Sequence, residues 1–410
     1  MIMDKLLERI PPMLSGKELE DVLAVFPEYR EEIREKSQTE RLIALSDLYK
    51  VYVPNDTSKE IYNKLYLAML RSLQKKQSRL ATKQCYENYK MYKGFEYNGI
   101  MGGTDSFSII GNSGVGKSSC ICRCIDLITD GKVIETEKPY NKIIPILQVQ
   151  TPHDASVKGL LYEILRVCDE RLDTKYYESA LKSASTDDKL IGIVSTISIN
   201  HIGVLVVDEI QNIVHNKNGI NLVNVLTQLI NASGISICMV GIPEVKSAFV
   251  EGQQLARRCL GVHIEEYDFG TEFRNLCNAL FDYQYVKKKT ELSEGMLQWV
   301  YEHSQGNISI VVFLIYNAQE IAILSGEEEL NMKTLQEAYL KRMSFLHGYV
   351  RPRRSASTSK TKKSKLVLPK ETVLSEDDFT IQEIVSKSKN TGEDIVELLK
   401  QYIRLESVKV

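Results

Sequence analysis

Three features of the 410-residue sequence predict an α/β fold built on a parallel five-stranded sheet. Apolar runs alternate with helix-patterned segments from about residue 104 to 270. Gly111-Asn112-Ser113-Gly114-Val115-Gly116-Lys117-Ser118 fits G-x-x-x-x-G-K-[ST] between an apolar run and a helical segment. Val204-Leu205-Val206-Val207 runs into Asp208-Glu209, which sets two carboxylates at the C-terminal end of a buried strand. Open α/β sheets bind their ligands outside those ends.

The sheet is predicted from five runs, Phe107–Ile110, Ile143–Val149, Ile202–Val207, Ile235–Val240 and, weakly, Val262–Ile264. Helical segments between them supply the crossovers that parallel pairing requires. Ser119–Leu127 is the helix leaving the glycine-rich loop. The loop's residue types suit a triphosphate. Glycines remove the Cβ atoms that would block close approach of backbone N–H groups, and the helix N-terminus adds oriented dipoles. Lys117 is placed to reach the β- and γ-phosphates, and Ser118 to ligate Mg²⁺. Asp208 is the candidate for the Mg²⁺ shell and Glu209 for the general base that polarises an attacking water. The blander reading is a glycine-rich turn and a strand followed by an acidic turn. The agreement of strand, loop, helix and second strand argues against it.

Residues 1 to about 40 are charged and helical in pattern, with acids outnumbering bases. They suit either a recruitment module or a solvated face. In residues 60–95, Lys64, Arg71, Lys75, Lys76, Arg79, Lys83, Lys90 and Lys93 face only Glu60 and Glu87, with tyrosines interleaved. Lys76, Arg79, Lys83 and Lys90 fall at helical spacing and form a candidate phosphate-backbone contact, the alternative being a solvated face over inward tyrosines. Gln253-Gln254-Leu255-Ala256-Arg257-Arg258 puts two arginines at a helix end before the weak last strand. They are either surface residues or a trans contribution to a neighbouring subunit's γ-phosphate. Residues 271 to about 346 are helix-rich. They include amphipathic Glu294–Glu302 with the single Trp299, a Gly306-Asn307 turn and apolar Ile308–Leu324, and suit a small lid. Residues 351–370 carry eight Lys/Arg and no acid, the composition of a disordered linker or a DNA-holding tail. Glu393–Leu405 is one amphipathic helix. The predicted organisation is 1–95 helical N-terminal extension, 96–270 core, 271–347 lid, 348–372 basic linker and 373–410 short helical C-terminal element.

The net charge of −2 gives the whole chain no nucleic-acid bias, so any such surface is local. Eight cysteines in a chain this long do not form a disulfide framework. Cys120, Cys122 and Cys124 resemble a metal cluster at first sight. On a helix Cys122 points away from the other two, and no second ligand pair stands at zinc spacing, so they are packing residues. The N-terminus has no apolar signal core, and no run approaches the ~20 residues of a membrane helix. A soluble intracellular protein with no membrane partner is expected.

The loop, the Asp208-Glu209 strand and the lid resemble the initiator-like AAA+ ATPases. Gln148-Val149-Gln150-Thr151-Pro152-His153-Asp154-Ala155-Ser156-Val157-Lys158-Gly159-Leu160, followed by Asp169-Glu170-Arg171-Leu172-Asp173-Thr174-Lys175-Tyr176, is similar to the TnsC/TniB ATPases. Those are target-selection regulators of DNA transposons with a separate integrase-like transposase. The runs Val240–Glu244 and Gln254–Arg258 are similar too, and the resemblance covers about residues 95–345. It implies an AAA+ P-loop ATPase with ATP and Mg²⁺ as cofactors. The nucleotide would contact Gly111 through Ser118, Ser119 and Asp208, with Glu209 and Arg257 or Arg258 acting in hydrolysis. It further implies a homo-oligomeric ring or helical filament on double-stranded DNA, with transposase subunits and a TniQ-like target selector as partners. The location would be the bacterial cytosol, nucleoid-associated on DNA. Lys158 is the candidate inner-surface DNA contact. Two departures stand out. Gly241-Ile242 occupies the place of a polar sensor residue, and Gly306-Asn307-Ile308-Ser309 lacks the usual lid arginine. Both suit slow turnover, with ATP serving as an assembly switch. Other readings are an initiator- or loader-type ATPase of replication or plasmid maintenance, and a signalling or defence NTPase switch without a DNA role.

Overall fold

The computed structural model describes residues 8–76, 79–93, 95, 105–135, 142–183, 186–213, 219–245 and 261–344. All lie within one compact unit, Met1–Ser355. The basic run 351–370, the segment Glu393–Leu405 and the pair Arg257 and Arg258 lie outside the described residues.

The sheet contains the five expected strands: β1 (Phe107–Gly111), β3 (Lys142–Gln150), β4 (Ile202–Asp208), β5 (Ser236–Gly241) and β6 (Val262–Ile264). One more was not foreseen, β2 (Ile134–Glu135), pairing antiparallel with β3 through Ile134↔Ile143 and Glu135↔Lys142. Two residues are too few to carry a period, so this strand left no signal. Among the described residues the sheet is therefore six-stranded, in the order β2-β3-β4-β5-β1-β6, and parallel apart from β2. β1 lies between β5 and β6, with Ile110 opposite Gly241 and Gly111 opposite Ile264. Gln150 lies opposite Asp208, which aligns the C-terminal ends of β3 and β4.

Every residue of β4 is buried, as expected for a parallel strand covered on both faces. Alternation then decides which layer each side chain enters. Val204 and Val206 face one core with α3 (Asp56–Lys76) and α5 (Lys117–Thr129). Leu205 and Val207 face the other, with α6 (Val157–Leu172), α8 (Asp187–His201) and α9 (Gly219–Ser233). The result is a three-layer α/β/α sandwich.

A third core is all-helical. It joins α10 (Thr271–Phe281), α11 (Glu294–Ser304), α12 (Ile308–Ser325) and α13 (Met332–Arg342) to Leu45 and Leu48 from the N-terminal part of the chain. Before α3, the described residues form short elements: α1 (Gly16–Leu23), α2 (Gln38–Ala44) and 3₁₀ turns at Glu31–Glu35 and Leu45–Lys50. The first 95 residues are thus shared between cores. Residues around 29–53 pack on the lid-side helices, while α3 packs on the sheet. Arg41 fixes the first arrangement. Its buried guanidinium donates to both carboxylate oxygens of Glu328 at 2.6 Å and to the Tyr285 carbonyl at 2.9 Å.

α12 is 18 residues long and apolar enough by length and composition to cross a membrane, which the sequence reading did not register. Here most of its apolar residues pack in the helical core, Leu324 being exposed, and a helix buried on most sides is apolar on most sides. The described residues contain thirteen α-helices, completed by α4 (Arg79–Tyr92) and α7 (Tyr176–Ser183).

Candidate nucleotide-binding site

β1 delivers the glycine-rich loop at the C-terminal edge of the sheet. Gly114 (φ 84°) and Gly116 (φ 90°) take left-handed conformations that side chains rarely adopt, and Gly116 stands immediately before α5. Lys117 folds back over the loop and donates to the carbonyls of Gly111 (2.7 Å) and Asn112 (2.8 Å). Burial lowers its pKa, opposed by the charges of Asp208, Glu209 and Glu266. Asn112 donates to Glu266 at 2.8 Å.

β4 places Asp208 across from the loop. The Ser118 hydroxyl donates to Asp208 Oδ2 at 3.4 Å, and the other oxygen, Oδ1, accepts the Glu209 N–H at 2.8 Å. Asp208 is buried, whereas the neighbouring Glu209 is exposed and strained at φ 55°. The two carboxylates that follow each other in sequence therefore point into different surroundings. One sits beside the hydroxyl at the start of α5. The other projects into a cleft of about 650 Å³ that Lys117, Ser118 and Asp208 also line. These residues fit a nucleotide–metal pair: a loop of left-handed glycines before a helix N-terminus suits phosphates, and a hydroxyl beside a buried carboxylate is an oxygen donor set suited to Mg²⁺.

The sequence reading missed three contributors. The first is Gln211, whose Nε2 donates to Glu209 Oε2 and whose Oε1 is buried without a partner. It also explains the absent polar residue at the end of β5. A Cβ on Gly241 would sit 2.6 Å from Ile210 Cγ2 and 3.1 Å from Gln211 Oε1, so the space a side chain would need is already filled. The second is the segment between Tyr49 and Ser58, which forms one wall of the cleft. Asn55 caps α3 by accepting from Ser58 N–H (2.8 Å) and donates to the Tyr267 hydroxyl (3.1 Å). Burial pushes Tyr267 up to about 12. No pattern in the sequence linked this segment to a loop some sixty residues away. The third is the start of α12. Asn307 Nδ2 donates to the Ser113 carbonyl (2.8 Å), and the Ser309 N–H donates to the Gly114 carbonyl (2.9 Å).

The run after β3 has a structural explanation. Ser156 caps α6 by accepting from the Gly159 N–H at 3.2 Å. Asp169 accepts from the Thr174 hydroxyl (2.6 Å), the Tyr176 N–H (2.9 Å) and the Tyr177 N–H (2.7 Å), which staples the end of α6 to the start of α7. Leu172 is buried beneath that turn. Lys158, in the first turn of α6, stands 4.0 Å from Asp187 and is about half exposed.

Of the basic residues at helical spacing, Lys76 and Lys83 do not share one exposed face. α3 is described to Lys76 and α4 from Arg79. Lys76 sends its head inward to the Ser198 carbonyl (2.5 Å), and burial brings its pKa down to about 7. Lys83 remains on the exposed side of α4 with Tyr86 and Tyr89. Lys90 lies over the Tyr86 ring and pairs with Glu87 at 2.7 Å. Cys120 and Cys124 are buried and Cys122 is exposed, as helical geometry required. No metal-holding cluster occurs among the described residues.

Residues 89–269 match the family model of the bacterial TniB protein. No curated protein matches the chain. Among solved structures, the chain is similar to Aeropyrum pernix ORC1 in complex with DNA, at 12% identity and a TM-score of 0.43, over 63% of each chain. It therefore spans a little under two thirds of that protein's length. It is also similar to Drosophila ORC bound to DNA, at 12% identity and a TM-score of 0.43, over 97% of this chain and 84% of that one.

Proposed function

We propose, for a chain that carries the TniB family match over residues 89–269, an ATP-dependent, DNA-binding AAA+ regulator of DNA transposition. One observation carries the nucleotide half of this reading: Ser118 and Asp208 meet beside the glycine-rich loop, with Glu209 projecting into the same cleft. The family match supports the transposition half.

In this reading Gly111 through Ser119 cradle the phosphates, and Lys117 leaves its two backbone carbonyls to meet them. Ser118 and Asp208 hold Mg²⁺. When bound, ATP·Mg²⁺ supplies the transferable phosphoryl group and the charge that favours one assembly geometry. Glu209 orients and deprotonates the attacking water, with Gln211 fixing its carboxylate. Arg257 or Arg258 completes the site from the adjoining subunit. Subunits add head to tail into a ring or filament on duplex DNA. The DNA is held through phosphates, with Lys158, Arg79 and the exposed Lys83 as candidate contacts. A transposase and a target selector dock on this platform, and hydrolysis dismantles it.

Glu209→Gln tests the assignment. Hydrolysis should fall at least ~100-fold, the scale of a lost general base. ATP affinity should stay near wild type, and DNA-bound assemblies should persist where the wild type releases DNA. Release at the wild-type rate would remove Glu209 from the role of base.

A further inference from the structure

We propose that the first turn of α12 holds the glycine-rich loop in its anion-accepting shape, with Asn307 as the positioning residue. This rests on reading the loop as a nucleotide site, and adds a lid residue that regulates it.

The argument starts from the peptide unit. A trans peptide is planar, so a carbonyl and the N–H of the next residue point in opposite directions. Asn307 Nδ2 holds the Ser113 carbonyl at 2.8 Å, and the Ser309 N–H holds the Gly114 carbonyl at 2.9 Å. Two successive peptide planes are thereby pinned with their carbonyls toward α12. The N–H groups of Gly114 and Val115 are turned the other way, where successive N–H groups can form an anion nest.

This restraint acts where the loop is freest to change. Gly114 sits at φ 84°, and a glycine passes between positive and negative φ with little penalty. The Ser113–Gly114 peptide can therefore flip and point its carbonyl at an incoming phosphate. The Asn307 hydrogen bond opposes that flip. The fit is close as well: a Cβ on Gly114 would lie 2.6 Å from Asn307 Oδ1 and 3.0 Å from Ser309 Cβ. This glycine is thus required by lid docking as well as by its own backbone angle.

Asparagine is suited to the position because both halves of its amide are used. Oδ1 caps α12 by accepting from the Ile310 N–H at 3.3 Å, while Nδ2 reaches the loop. Helix end and loop are tied through one side chain. Coupling of this kind is reciprocal: a lid that pre-forms the loop raises nucleotide affinity, and bound nucleotide tightens the lid.

Asn307→Asp separates the two functions of the side chain. It keeps a cap acceptor and replaces the donor with a carboxylate oxygen facing the Ser113 carbonyl. Asn307→Ala removes cap and latch together. The measurements are affinity for a fluorescent ATP analogue with Mg²⁺, hydrogen exchange at the Ser309 amide with and without nucleotide, and the thermal midpoint. Both variants should bind nucleotide about 10-fold more weakly, within the usual range of coupling. Both should exchange Ser309 faster in the nucleotide-free protein, and Asn307→Ala alone should lose the cap's contribution to the midpoint. Wild-type affinity in Asn307→Asp overturns the proposal. A wild-type protein that binds no nucleotide, while its Ser309 amide stays protected, overturns instead the reading of the loop on which the proposal rests.

Discussion

Lys76 shows how one side chain departs from what its neighbours in sequence suggest. Its ammonium is enclosed at the contact between the end of α3 and α8, against the Ser198 carbonyl, with Cys168 and His201 nearby. Burial brings its pKa down to about 7, from the ordinary lysine value of 10.5. Below pH 7 the group is charged in both folded and unfolded chains, and the folded state bears the full cost of enclosing that charge. Between about pH 7 and 10.5 the unfolded chain binds more protons than the folded one, so stability rises with pH, by at most ~1.4 kcal/mol per unit. Lys76→Met removes both the charge and the titration. Urea unfolding at pH 6.5 and pH 9 should therefore show the variant more stable than wild type at the lower pH, with the difference shrinking at the higher. A constant difference would mean that the lysine head is solvated. With its head turned to the Ser198 carbonyl, Lys76 is withdrawn from the basic face that spacing alone assigned to it, whereas Lys83 remains exposed. Helical spacing gives relative direction but not which face a neighbouring element covers, and here the Ser198 carbonyl of α8 meets Lys76.

Among elements, the buried Arg41–Glu328 pair is the main polar tie between α2 and the lid-side helices. Glu328 is held below the ordinary carboxylate range, first by its hydrogen bonds to Arg41 and then by the charge itself. Its contribution to stability is therefore present above the unfolded carboxylate pKa and is lost as pH falls through the lowered one. Glu328→Ala should cost about 3 kcal/mol in denaturant unfolding at pH 7, because it leaves a buried guanidinium without its counter-charge. A loss near zero would show that the N-terminal turns do not depend on this tie. Neither partner was legible beforehand, since the two lie almost three hundred positions apart and each sits in an ordinary charged stretch. The elements with their own period were legible: all five parallel strands, the helix after the loop, and α11 and α12. What escaped was whatever depends on a distant neighbour. The Tyr49–Ser58 wall of the cleft needs α3 to be docked, and the exclusion of a side chain at Gly241 needs Ile210 and Gln211 in place. Conversely, the run after β3 that drew attention as a family signature is a set of caps and staples around Asp169, conspicuous because hydrogen-bonded turns restrict residue type.

For the whole molecule, the cleft gathers Lys117 and Ser118 from the start of α5, Asp208 and Glu209 from the end of β4, residues from the 49–58 segment, and Ile308 and Ser309 from α12. A ligand in that cleft would touch all of these parts. The glycine-rich loop and the Asp208-Glu209 strand end were legible because each packs restricted residue types into a short span. The central claim is that nucleotide drives assembly on duplex DNA, and the most direct measurement is electron microscopy of the protein with a 60-base-pair duplex and a non-hydrolysable ATP analogue, beside Lys117→Ala and a nucleotide-free sample. Rings or filaments on DNA that require nucleotide and vanish in the variant are the predicted result. Monodisperse protein with no DNA association at low salt would contradict the account.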